Sequence, residues 1–114
     1  MRAYDERCAV TGLKLINGGG RAEVEAAHIR PVEASGPDIV SNGLALSGTA
    51  HWMFDRGLIG VDDDMRIIVS RQANDPDSIQ SVINASGRIL VPQREADRPH
   101  PQFVRWHREH CFKH

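Results

Sequence analysis

The chain is 114 residues long, enough for one domain with a single modest core and too short for two. Its 40% hydrophobic and 25% charged content is that of a folded globular protein, and a formal net charge of -1 excludes holding nucleic acid by bulk charge, so such a partner needs a local basic patch or a metal ion. No run is apolar and long enough to cross a bilayer, the N-terminus lacks the apolar stretch of a signal peptide, and the two cysteines, Cys8 and Cys111, build neither a disulfide framework nor a four-cysteine zinc site; the expectation is a cytoplasmic protein.

Arg2 to Arg7 reads as a helix end or lead-in, and CAVTGLKLI as short β-prone stretches around a Thr11-Gly12 turn. NGGGR, residues 17–21, is a flexible loop, because three glycines lose too much chain entropy inside an element. AEVEAAHIRPV, residues 22–32, alternates with a two-residue period and reads as a strand closed by Pro31. EASGPDIVS is a loop turning at Gly36-Pro37, GLALS a second short strand, and AHWMFDR a short helix capped by Ser47 or Thr49 and ended by Gly57. LIGVDDDMRIIVS predicts a hairpin turning at the Asp run, DPDSIQSVINASG a capped helix ending at Gly87, RILVP a strand, and HPQFVRWHREHCF a terminal amphipathic helix with Pro101 near its start.

His51 and Asp55 stand at i and i+4 of one predicted helix, so they share a face and reach a common point. Imidazole and carboxylate together suit a divalent metal that acts on phosphate, such as Mg²⁺, Mn²⁺, Ni²⁺ or Zn²⁺, although the pair taken alone is more often a surface or capping contact. His28, on a strand just before a loop that returns the chain to Asn42, is by itself more often a packed core residue. The combination changes the weighing: His, then Asn, then His-x-x-x-Asp, on strand, strand and helix in that order.

Those motifs, VEAAHIRPV, SNGLALS and AHWMFDRGLI, with Asn42 and His51 nine apart, resemble the HNH endonucleases, the ββα-metal nucleases, and within them a bacterial restriction-associated subgroup with an Ala-Ala-His first motif. The resemblance covers roughly residues 8–60, and CAVTG and FVRWHREHCF are also similar to that subgroup. It implies an α+β fold with a ββα-metal (His-Me finger) core at about residues 22–57, an additional β-hairpin and a C-terminal helix, all in one domain over residues 1–114. It implies that His28 is the general base, a task suited to a side chain with a near-neutral pKa. Asn42 would aim His28 by holding the loop between the strands, and His51 and Asp55 would bind one divalent metal. The expected activity is metal-dependent hydrolysis of DNA phosphodiester bonds leaving a 5′-phosphate, as the cleavage module of a restriction-type system.

One position departs from the family pattern: the residue before the general base, often a further ligand, is Ala27. Glu25 is a minor candidate to assist, placed about 6 to 7 Å along the strand from Ala27. Arg30 and Arg56, with Lys14 and Arg21 behind them, are the candidates for phosphate contact. No recognition helix or basic stripe is visible, so the resemblance also implies a separate DNA-recognition domain or subunit. His107 and His110 read as part of the terminal helix rather than a second metal site, and Asp62, Asp63 and Asp64 as turn residues. The competing class is a non-catalytic nucleic-acid-binding or interaction module that kept the fold.

Overall fold

The computed structural model describes residues 2–114 as a mixed domain of two antiparallel hairpins and three helices. Strands β1 (Glu25–His28) and β2 (Gly43–Leu46) pair with Glu25 opposite Leu46, Ala27 opposite Leu44 and His28 opposite Gly43. Helix α1 (Gly48–Asp55) follows after a single residue, Ser47, whose hydroxyl accepts from the Ala50 N–H and caps it. Strand, strand and helix therefore fold back on one another as the order of the motifs implied.

Three predicted β segments are shorter or absent. The first strand begins at Glu25, and Ala22 makes only an isolated bridge to Ile16 around the exposed glycine loop. CAVTGLKLI forms a turn rather than strands: the buried Cys8 thiol accepts from the Thr11 and Ser47 N–H groups and ties this turn to the start of α1. Burial alone would raise the Cys8 pKa, but these N–H groups outweigh it and hold the thiol below its usual range. RILVP is not a strand, since Arg88 alone bridges to Arg66 and the segment that follows runs as loop.

The second hairpin joins β3 (Ile59–Val61) and β4 (Ile67–Val69) through the Asp run, where the Asp62 carboxylate accepts from the Asp64 and Arg66 N–H groups. That local bonding accounts for Asp62 as a turn residue. Helix α2 (Pro76–Val82) starts under an Asp75 cap, as its Asp-Pro start suggests, but stops well before Gly87. Beyond Val82 the side chain of Asn84 donates to the Val10 and Arg88 carbonyls, and these bonds take the chain out of the helix.

Helix α3 (Pro101–His110) closes the domain against α1 and β3. Its Phe103 and Val104 join Phe54, Ile29, Leu44, Leu46, Ile59 and Val10 in one continuous core beneath the β1–β2 hairpin. Arg108 donates to the Val61 carbonyl at 2.8 Å and to Asp63 at 2.7 Å, fixing α3 along β3 and holding the Asp63 carboxyl below the usual range. Among the described residues no helix is long and apolar enough to cross a membrane.

Candidate active site

β1 delivers His28 to the edge of the sheet, opposite Gly43, where its ring is partly exposed and its Nε2 lies 3.3 Å from the Asp38 carboxylate. With the proton on Nε2 that contact is donor to acceptor, and Nδ1 keeps the lone pair that a base requires. Asp38 was not singled out from the sequence. It lies ten residues away on a loop, and nothing in local spacing announces the contact.

The loop between the strands is held from inside by Asn42, which is fully buried. Its side-chain oxygen accepts from the Arg30 N–H at 2.9 Å, and its amide donates to the Arg30 carbonyl at 2.9 Å and the Pro37 carbonyl at 2.8 Å. The turn is tight enough that a Cβ on Gly36 would stand 1.8 Å from the Arg30 carbonyl oxygen. One amide therefore bridges the end of β1 to the return of the loop, a task only a side chain with both donor and acceptor performs.

On α1, His51 Nε2 and Asp55 Oδ2 are 3.1 Å apart, the contact that i and i+4 spacing on a helix predicts. His51 Nδ1 faces a second carboxylate, Glu25 Oε2, at 3.5 Å. Asp55 also lines a cleft of about 540 Å³ with His28, Arg56, Trp106, His110 and Lys113. The structure thus brings His28 and Asp55 to one cleft, with His51 against Asp55 at its margin.

The basic candidates separate. Arg56 reaches the cleft with its guanidinium 4.2 Å from the exposed Trp52 ring. Arg30 lies just beyond β1 rather than within it: its Nε donates to the Ala34 carbonyl, and its guanidinium sits 5.5 Å from the Trp106 ring. Lys14 pairs with Asp5 at 3.0 Å, and Lys14 and Arg21 line a different groove.

The terminal helix supplies a wall that the sequence reading treated as packing alone. His107 is buried as expected, stacked on Phe54 and donating from Nε2 to its carbonyl at 2.8 Å. Burial holds its pKa below the usual value. His110 stacks on Trp106, and its Nδ1 meets the Trp106 carbonyl at 3.0 Å, so the ring donates from that nitrogen and keeps its Nε2 lone pair. Both histidines of WHREH line the cleft, His107 buried and His110 exposed, a difference the residue types alone do not reveal.

Residues 8–62 match the model of a family described as HNH endonuclease. This span, just under half of the chain, is similar to the HNH endonucleases. The HNH span contains His28, Asn42, His51 and Asp55, and stops at the first residue of the Asp turn. Over 95% of its length the chain also superposes, with a TM-score of 0.70 and 26% sequence identity, on a modification dependent TagI restriction endonuclease. It spans 34% of that protein's length. No curated protein sequence matches it.

A divalent metal is generally used by HNH nucleases, and the donors present fit one. His51 Nε2 and Asp55 Oδ2, 3.1 Å apart, are close enough to be spanned by two metal-ligand bonds of about 2.1 Å each. One imidazole and one carboxylate are also the donor types such an ion accepts. Ala27, buried and without a donor atom, contributes nothing to that set. Among the described residues no group of three His, Cys, Asp or Glu side chains is arranged to hold an ion.

Proposed function

We propose that this chain is a metal-dependent endonuclease domain that hydrolyses DNA phosphodiester bonds, with His28 as general base, Asn42 as the residue that fixes the base's loop, and His51 and Asp55 as metal ligands. The observation that carries this reading is a single cleft lined by His28 and Asp55, with His51 3.1 Å from Asp55. A bound divalent ion supplies Lewis acidity to the phosphoryl oxygen and the departing 3′-oxygen. Mg²⁺, Mn²⁺, Ni²⁺ and Zn²⁺ all accept such donors.

The chain's own contribution is base and position. His28 takes the proton from the attacking water at Nδ1, while the Asp38 carboxylate holds the proton on Nε2 and stabilises the imidazolium that forms. Asn42 keeps both ends of the loop in register so that His28 and Asp38 meet. Arg56 and Lys113, both lining the cleft, neutralise phosphate charge, and Arg30, its guanidinium 5.5 Å from the Trp106 ring, adds its remaining donors.

The neighbour's description as a modification dependent restriction endonuclease favours a role in a restriction-type system. With a net charge of -1 and coverage of 34% of that neighbour, this HNH chain acts as the cleavage module, and sequence is read by a separate domain or subunit. A second reading, a non-catalytic nucleic-acid-binding module, is favoured by one observation: Ala27 offers no donor where relatives often carry a ligand. The test is plasmid cleavage across a panel of Mg²⁺, Mn²⁺, Ni²⁺ and Zn²⁺, with an EDTA control and Asp55→Ala beside wild type. Metal-dependent cleavage that Asp55→Ala removes is the expected result; DNA binding without cleavage under every metal favours the module.

A further inference from the structure

We propose that Glu25 is a positioning residue for His51, fixing the ring tautomer that leaves Nε2 free to bind a metal. The proposal rests on the assignment of His51 and Asp55 as ligands and adds a residue that the donor pair does not include.

The placement follows from register. Alternation along β1 puts Glu25 on the face of Ala27, the face that packs under α1, and Glu25 pairs with Leu46 immediately before the Ser47 cap. Glu25 is thereby set beside the first turn of the helix. A Cβ on Gly48 would meet Glu25 Oε1 at 4.0 Å, while Glu23 Oε2 accepts from the Gly48 N–H at 2.8 Å. Carboxylates at this end are favoured by the helix dipole and need no further partner to stay there.

From that position Glu25 Oε2 lies 3.5 Å from His51 Nδ1, and Asp55 Oδ2 lies 3.1 Å from Nε2. A neutral imidazole carries one N–H and one lone pair. A carboxylate faces each ring nitrogen, so an ion that takes the Nε2 lone pair beside Asp55 leaves the proton on Nδ1, where the Glu25 carboxylate is placed to accept it. Two acceptors 3.1 Å apart repel unless a cation lies between them, so the tautomer that Glu25 stabilises is the one in which His51 and Asp55 bind an ion. Carboxylate partners of this kind orient histidine ligands in many metal sites, and removing one typically weakens metal binding about 10- to 100-fold.

Calorimetric titration of Mn²⁺ into the full chain tests this, on wild type, Glu25→Ala, Glu25→Gln, His51→Ala and Asp55→Ala, with circular dichroism to establish folding. Glu25 is 60% exposed at its side chain, so its variants fold. Glu25→Ala is expected to weaken Mn²⁺ binding about 10- to 100-fold, and Glu25→Gln less, because its amide oxygen still accepts from Nδ1–H. Nitrogen-15 NMR of the Zn²⁺-loaded wild type is expected to show His51 protonated at Nδ1. Unchanged Mn²⁺ affinity in Glu25→Ala, equal losses in Glu25→Ala and Glu25→Gln, or a proton on Nε2 each overturn the positioning role. If His51→Ala and Asp55→Ala bind Mn²⁺ like wild type, the ligand assignment itself is wrong; if they lose it while Glu25→Ala keeps it, only the role of Glu25 falls.

Discussion

His28, Asn42 and Glu25 are three polar residues on or beside one short hairpin, and they differ in how far they are buried. His28 is partly exposed on a cleft, so replacing it should spare the fold. We predict that His28→Ala cuts DNA about 10²- to 10⁴-fold more slowly while its melting temperature and Mn²⁺ affinity stay near wild type. Wild-type cleavage by a folded His28→Ala chain would rule out the base. Asn42 is the opposite case: it is fully buried, and its loss strands the Arg30 N–H and the Arg30 and Pro37 carbonyls. Each buried group left unpaired costs about 1–3 kcal/mol, so Asn42→Ala should shift the urea midpoint markedly downward and slow cleavage, while Mn²⁺ still binds to the part that remains folded. Absent Mn²⁺ binding with unchanged stability would show Asn42 to be a ligand rather than a brace.

Between elements, the decisive contact is the clamp that α3 places on the end of α1. His107 and Cys111, one turn apart, both reach the last carbonyls of α1: His107 Nε2 and the Cys111 thiol the Phe54 oxygen, and the thiol also the Asp55 oxygen. Burial pushes the Cys111 thiol pKa up, which keeps the thiol protonated as a donor. Gly57 follows with φ of 72°, and a Cβ there would stand 2.1 Å from the Cys111 carbonyl oxygen. Gly57→Ala therefore combines backbone strain with a backbone clash, and we predict a loss of stability well beyond the roughly 1 kcal/mol ordinary for a C-terminal glycine. The cleft should loosen with it, because Asp55 and Arg56 lie on one side of the clamp and Trp106, His110 and Lys113 on the other. Thermal unfolding and cleavage assayed together check this: a stable but inactive Gly57→Ala chain would mean that the clamp positions the cleft without holding the fold.

At the scale of the whole molecule, the buried His107 couples stability to pH. Its folded pKa lies below the unfolded value of about 6.5 because burial disfavours the imidazolium. As pH falls through that value the unfolded chain binds a proton that the folded chain refuses, so the contribution of His107 is complete above about pH 6.5 and is lost as pH drops toward the folded pKa. His107→Gln retains an N–H for the Phe54 carbonyl but does not titrate, and the stability of wild type relative to this variant should rise with pH between about 5 and 7 and then level off. A difference that stays flat across that range would show that His107 is not buried neutral. The sequence by itself determined the order of the ββα elements, a capped start for α1 at Ser47 or Thr49 and for α2, the turn at the Asp run and the i and i+4 pairing of His51 with Asp55, because each depends on neighbours within a few residues. RILVP, apolar and β-branched but without a partner strand, shows where that local information stops. Only the tertiary structure decided that Asp38 meets His28, that Glu25 reaches His51, and that α3 walls the cleft beside Asp55. These contacts join residues 10, 26 and more than 50 positions apart, and chain closure and packing against a shared core set them, which no local spacing encodes.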